Sequence, residues 1–294
     1  MAGRYHMIVQ ARMESERLPG KILKKFAGQP MLLMQLDRLA RCQDVDNLVI
    51  ATTNTSENIE MAAKLTQHGY TTFIALGRAE DDVLGRYWDC FKWIEREEGM
   101  STDDDYIVRV TGDCPLIDPE VIDDVILLNE EYDLDYVALS QHWPDGLDVE
   151  IISAIALRKM YDVANDGYEK EHVTPLAYIR GKELGIKGYS WPCPYDLSGH
   201  NWSVDDIDDY HFLSQVVELT IRKYGHNFGW RDVYGVLRLN QTWLENATRK
   251  PRNSSFMKQV GIDSTWEDLR YRKSDDDVPN LPESAGSTSF GREV

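Results

Sequence analysis

The chain has 294 residues, 42% apolar and 10% aromatic, enough to bury a sizeable α/β core with an appendage. Its 50 acidic against 32 basic side chains leave a formal charge of −18, which argues against broad nucleic-acid binding through phosphate neutralisation. No apolar run nears the ~20 residues that span a bilayer, and the first residues lack a basic-then-apolar leader, so a cytoplasmic protein with no membrane partner is expected.

Tyr5–Ala11 reads as a strand, followed by a Pro/Gly-containing loop over Arg12–Lys21. A helix is predicted from near Pro30 to about Arg41, because proline is tolerated in a first turn. Asn47–Thr53 is a β-branched run, and Asn58–His68 has helical composition closed by Gly69. Thr71–Leu76 is a third strand. Asp82–Glu98 is a helix whose apolar Val83, Leu84, Tyr87, Trp88, Phe91 and Ile94 share one face. Tyr106–Thr111 is the next strand, with Asp118 as the N-cap of a helix over Pro119–Glu131. Strands Tyr136–Leu139 and Val149–Ile152 follow, then a helix near Ala154–Ala164. A short strand is expected at Trp202–Val204, then helices over Asp209–Tyr224 and Trp230–Leu239.

This alternation predicts an α/β fold: three α/β/α layers around a mostly parallel central sheet, with a helical C-terminal extension. Ligands in such sheets bind beyond the carboxyl ends of the strands. The expected organisation is a catalytic domain over 1–212, a helical extension over 213–262 and an acidic, partly disordered tail over 263–294. Cys42, Cys90, Cys114 and Cys193 include no Cys-x-x-Cys pair, which fits a reducing compartment and gives a structural zinc no ligand spacing.

Charge is unevenly placed. Before residue 42 stand eight basic and three acidic side chains, so an acidic protein carries one local basic segment, suited to a compact anion. Arg12, Arg17 and Lys21 of that segment lie in the loop Gln10-Ala-Arg-Met-Glu-Ser-Glu-Arg-Leu-Pro-Gly-Lys21, where Ser15 adds a hydroxyl and Gly20 permits close backbone approach. The loop lacks the first glycine and the Ser/Thr of a P-loop. Asp113, in Thr111-Gly-Asp-Cys-Pro after a strand, is placed either to hold a hard cation or to cap a turn. Cys114 beside it lacks a local base and reads as packing.

The same order and spacing continue through Ala51-Thr-Thr-Asn54, Glu80-Asp-Asp-Val-Leu84, Thr111-Gly-Asp-Cys-Pro-Leu-Ile-Asp118, Gly146-Leu-Asp-Val-Glu150, Glu171-His-Val-Thr-Pro175 and Trp202-Ser-Val-Asp205. Over about residues 5–215 the chain therefore resembles the cytidylyltransferase superfamily, most closely its spore-coat polysaccharide biosynthesis type. Relatives include the synthetases of CMP-Kdo and CMP-sialic acids. The resemblance implies a nucleotide-diphospho-sugar transferase-like fold, a homodimer, and transfer of CMP from CTP to a small anionic acceptor with release of pyrophosphate.

Carried over to this sequence, the resemblance places Gln10, Ala11, Arg12, Ser15, Arg17, Gly20, Lys21 and Gly112 around the nucleotide, with Arg12, Lys21 and Asp113 in the catalytic role. Asp113 and Asp205 would hold Mg2+. Thr52, Thr53 and Arg78 are candidates for cytosine selection, although the threonines also fit as ordinary strand-end residues. Asp148, Glu150, Glu171 and His172 would face the acceptor, with Asp148 or Glu150 as a partner for His172. Glu14 and Glu16 stand where small or uncharged residues are usual, so they should either face solvent or weaken nucleotide affinity. Asp206-Ile207 replaces the common Thr-Pro. Two other readings are a nucleotide-sugar-dependent glycosyltransferase and a non-catalytic nucleotide-binding protein. The first calls for an Asp-x-Asp after a strand, whereas Asp103-Asp-Asp105 precedes one.

Overall fold

In the computed structural model, residues 3–99, 103–165 and 167–248 are described. The chain opens with β1 (Tyr5–Gln10), a 3₁₀ turn over Lys21–Leu23, β2 (Lys25–Phe26), β3 (Gln29–Pro30) and α1 (Met31–Leu39). Next come β4 (Asn47–Thr53), α2 (Ser56–Gln67), β5 (Thr71–Ala75), α3 (Val83–Glu98), β6 (Tyr106–Thr111) and α4 (Pro119–Tyr132). β7 (Tyr136–Leu139), β8 (Glu150–Ser153), α5 (Ala154–Val163), α6 (Gly167–His172), α7 (Pro175–Ile179), α8 (Gly181–Leu184) and β9 (Gly188–Trp191) follow. The last described elements are α9 (Ile207–Tyr224), α10 (Trp230–Arg238) and α11 (Gln241–Ala247).

Side-chain alternation along the strands decides the layers. Tyr5, Met7 and Val9 of β1 enter one apolar core and Ile8 the other; Val108 and Val110 oppose Ile107 in β6 in the same way. Helices α1, α2, α4, α9 and α10 fill the first core, whereas α3, α5 and α7 fill the second. The seven strands run β5-β4-β1-β6-β8-β7-β9. β5, β4, β1 and β6 are parallel, as are β7 and β9; β8 is antiparallel to both its neighbours. The expected three-layer, mostly parallel architecture is therefore present.

From β1 the chain moves outward to β4 and β5, then returns to the other side of β1 as β6. The loops leaving the neighbouring strands β1 and β6 therefore lie side by side at the carboxyl end of the sheet, where the ligand crevice of an open α/β sheet is expected.

Several boundaries move. Asp118 does cap α4, accepting from Glu120 N–H at 3.1 Å. Helix α2 begins earlier than expected, at Ser56, because Thr55 serves as its N-cap. Trp202–Val204 forms no strand. Asn201 Oδ1 accepts from both the backbone and the hydroxyl of Ser203 at 2.8 Å, turning the chain, and Val204 N–H is taken by the Asp113 carbonyl at 3.0 Å. Gly146, at φ +97°, lets the facing segment cross so closely that a Cβ there would lie 2.5 Å from Ser203 N. The β2–β3 hairpin, β9, α6–α8 and α11 were not expected.

The division expected after residue 212 falls inside α9, whose residues lie on both sides of it. Trp230 of α10 meets Trp143 ring to ring at 5.2 Å and donates its backbone N–H to Asp118 at 2.6 Å, so the C-terminal helices share the first core. Residues 249–262 of the expected extension, and the whole 263–294 tail, lie outside the described residues. Among the described residues no helix is long and apolar enough to cross a membrane.

Candidate active site

The loop after β1 is wedged into the crevice. Ala11 N–H donates to the Ala51 carbonyl at 3.1 Å, and Gly112 N–H donates to the Gln10 carbonyl at 2.8 Å. A Cβ at Gly112 would lie 2.9 Å from that of Ala11, so this approach needs glycine. The loop closes on itself where Ser15 and Gly20 N–H both donate to the Met13 carbonyl at 3.0 Å, with Gly20 at φ +66°. Glu14 turns away from the crevice: its carboxylate accepts from Thr55 Oγ1 and from Asn58 Nδ2 at 2.8 Å. Burial pushes the Glu14 pKa up, but these hydrogen bonds outweigh it and hold the carboxyl below its usual range. Glu14 thus anchors the loop to the start of α2, a use of the residue that the sequence did not suggest. Glu16 is exposed.

Lys21 gathers the far side of the crevice. Its Nζ donates to Asp113 Oδ2 and to the Val204 carbonyl, both at 2.8 Å, and lies 3.6 Å from Asp205 Oδ1. Arg17 reaches the same Asp205 oxygen at 3.1 Å. Burial alone would raise Asp113, yet the Lys21 ammonium beside it holds the carboxyl at about 2. Burial and the neighbouring Asp113 carboxylate push Asp205 above the ordinary range, against the pull of Lys21 and Arg17. Asp206 is the N-cap of α9 and forms a capping box with Asp209, which also accepts the backbone N–H of Asp205 and Asp206 at 3.1 Å. The Asp206-Ile207 departure therefore fixes the Asp205 backbone.

Asp113 and Asp205, which here share the Lys21 ammonium, are carboxylates that could serve a hard cation as oxygen ligands. Among the described residues no cluster of three or more His, Cys, Asp or Glu could hold a metal. A magnesium ion usually arrives with substrate phosphates and keeps several of its waters, so two protein carboxylates are sufficient for it.

On the near side, Arg12 donates to the Glu80 carbonyl at 3.2 Å, leaning over the end of β4 toward the 76–82 segment. Thr53 Oγ1 accepts from Asn58 at 2.7 Å, and Thr52 is wholly buried with its hydroxyl unpartnered. Arg78 is engaged by Asp89, Asp82 and the Tyr161 hydroxyl at 2.7–2.9 Å. Arg86, unnoticed in the sequence, lies fully buried beneath the same Glu80 carbonyl and donates to it at 2.8 Å. An arginine among the apolar positions of α3 was the available signal.

The acceptor candidates do not form one cluster of equal exposure. Asp148 Oδ2 accepts from Gly146 N–H at 3.1 Å. Glu150 is 3% exposed and binds Arg109, the Tyr136 hydroxyl and, at 2.8 Å, Thr174 Oγ1. Glu171 and His172 are half-buried at the end of α6, with His172 6.5 Å from the Tyr168 ring. Between His172 and Thr174 the chain turns tightly: Thr174 N–H donates to the His172 carbonyl at 2.8 Å around a buried Val173 at φ +69°. Arg109, the charge partner of Glu150, was also missed, although a lone arginine in an apolar strand signals a buried counter-ion. Asp105, of the acidic run 103–105, sits at the amino end of β6 and is bound by Arg4 and His6.

Comparison with known proteins agrees with this architecture. The cytidylyltransferase family profile matches residues 6–233. The spore coat polysaccharide biosynthesis protein SpsF of Bacillus subtilis is 33% identical over 218 residues, 72% of this chain and 85% of that protein. A 3-deoxy-manno-octulosonate cytidylyltransferase of Psychrobacter is 29% identical over 127 residues, 42% of each chain. The solved structure of a cytidylyltransferase from Leptospira borgpetersenii superposes with a TM-score of 0.70 at 27% identity, covering 83% of this chain and 98% of that one.

Proposed function

This chain belongs to the cytidylyltransferase family, and from that premise we propose that it transfers CMP from CTP to a small anionic acceptor, an acidic sugar or a phosphorylated or phosphonate compound, and releases pyrophosphate. The observation that carries the reading is the convergence of Lys21 on Asp113 and Asp205 at the mouth of the crevice.

Lys21 and Arg12 balance the triphosphate, and their fixed positive charge favours the departure of pyrophosphate. Arg17, half exposed, adds a third cation. Asp113 and Asp205 would hold Mg2+, which when bound supplies charge neutralisation at the α-phosphate. Asp113 is ionised throughout the physiological range, as that role requires. Gln10, Ala11 and Gly112 shape the floor, where the backbones pack so closely that Gly112 has no space for a side chain. An acceptor oxygen then attacks the α-phosphorus in line as pyrophosphate leaves. An acceptor phosphate or carboxylate is already ionised at neutral pH, so His172 orients it and needs to remove no proton. The acceptor belongs to surface-polysaccharide or related biosynthesis in this reading.

The test is Asp113→Asn, assayed for pyrophosphate release against a panel of acidic sugars and phosphorylated acceptors. Loss of turnover by about 10³-fold with the fold intact is expected. Near wild-type turnover at saturating magnesium would remove Asp113 from the metal site.

A further inference from the structure

Arg86 stands in the first turn of α3 with its side chain fully buried, yet no carboxylate is bonded to it and Asp82 and Glu80 act on it only through space. Its Nη2 donates to the Glu80 carbonyl at 2.8 Å, while its Nε and Nη1 are buried without any partner. The acids nearest in sequence are occupied elsewhere. Asp82 accepts from Arg78 and from Gly85 N–H, and the Glu80 carboxylate lies outward, 4.0 Å from Arg12. The second group on the Glu80 carbonyl is itself a cation, Arg12 Nη1 at 3.2 Å. Two guanidinium groups therefore share one neutral oxygen. Burial, and then the proximity of Arg12, push the Arg86 pKa down.

An unpaired buried charge is among the most expensive things a fold can hold, and removing it is commonly neutral or stabilising. Its persistence calls for a compensating anion. The place is informative: Glu80 belongs to the loop after β5 and its carbonyl is shared with Arg12 of the basic loop after β1, so the two guanidinium groups meet at the carboxyl end of the sheet. A planar guanidinium fork matches the paired oxygens of a phosphate or a carboxylate, and the basic loop beside it favours the more highly charged phosphate.

We propose that Arg86 is a phosphate-binding residue: in the nucleotide complex the 76–82 segment withdraws its Glu80 carbonyl, and Arg12 and Arg86 close on a phosphoryl oxygen of the nucleotide. The inference rests on the CTP reading above and adds to it a residue that neither the loop motif nor the carboxylates identify. A purely structural Arg86, tethering Glu80, predicts a different pattern. Its loss would lower the melting temperature and leave the dependence on phosphate number unchanged.

The experiment compares full-length wild type, Arg86→Met and Arg86→Lys by calorimetry with CTP, CDP and cytidine at constant magnesium, alongside melting temperatures without nucleotide. Arg86→Met should melt no lower than wild type, bind CTP about 10–100-fold more weakly, and bind cytidine within about 2-fold of wild type. Arg86→Lys keeps the charge without the fork and should fall between them for CTP. If Arg86→Met does not fold, Arg86→Lys carries the test, with a loss of about 5-fold or more for CTP expected. Unaltered CTP affinity in the variants overturns the proposal, as does an equal loss for CTP and cytidine. Wild type that fails to bind CTP overturns the nucleotide reading itself, and the proposal with it.

Discussion

The two ends of the parallel sheet carry charge clusters of similar size and opposite temper. At the amino end, Arg4, His6 and Asp105 close on one another: Arg4 reaches Asp105 at 2.7 Å and also binds Glu98, and His6 Nε2 lies 2.9 Å from Asp105. Asn47 completes the group through His6 Nδ1 at 2.9 Å and Glu98 at 2.6 Å. Every member is answered. At the carboxyl end the balance is left open. Lys21 divides itself between two carboxylates, Asp205 is raised by a like-charged neighbour, and Arg86 has two buried nitrogens unpartnered. One fold has thus built a saturated cluster at one end of the sheet and an unsatisfied one at the end where we place the nucleotide. Perturbed charges concentrate at functional sites for this reason.

The largest effect that would sharpen the contrast is expected at the saturated end. Asp105→Ala takes the acceptor from His6 Nε2 and leaves the partly exposed Arg4 with Glu98 alone, so stability should fall by about 2–3 kcal/mol, less than for a fully buried pair. A domain of this size then melts lower by roughly 4–12 °C. Pyrophosphate release by the fraction that stays folded should be unchanged, and a change in KM for CTP would mean that the two ends are coupled. Lys21→Met, at the open end, should differ in what it does to activity. Turnover falls by about 10²–10³-fold, as on losing one preorganised donor, and the melting temperature falls as well, because Asp113 and Asp205 lose the ammonium between them. A large drop in melting temperature with turnover preserved would show Lys21 to be scaffold.

What the sequence revealed follows the same division. Strands were legible because β1, β4 and β6 are short runs of apolar and β-branched residues, as sheets covered on both faces require, and Asp118 was legible as a cap because a cap and its helix are adjacent in the chain. The site was legible only as loops following strands. Who answers whom was not. Glu14 finds Thr55 and Asn58 more than 40 positions on, and Lys21 finds Val204 183 positions on, pairings that no local pattern encodes. Glu150, expected at the acceptor, is surrounded by three donors because β6, β7 and the start of α7 converge on β8. Its carboxylate positions Thr174, and so the turn behind His172. The missed β9 is an edge strand whose Gly188 and Ser190 break the apolar run that made the equally short β7 legible.

The smallest predicted effect is a difference in sign. Asp105 is pushed up by burial but held below its usual range by the hydrogen bonds from Arg4 and His6. A folded-state pKa below the unfolded one gives stability that is full above about pH 4 and lost as pH falls through the folded value. Asp205 is raised, so the folded chain binds its proton more tightly than the unfolded chain does, and the contribution of Asp205 declines as pH rises above about 4. Melting temperatures recorded from pH 3 to 7 should therefore separate the two residues. Asp105→Asn removes part of the acid-side loss, flattening the profile below about pH 4, and is less stable than wild type at neutral pH. Asp205→Asn removes a term of opposite slope and gains relative to wild type as pH rises. Parallel profiles for the two variants would mean that both carboxylates sit in equally balanced surroundings, and the contrast between the two ends of the sheet would then rest on burial alone.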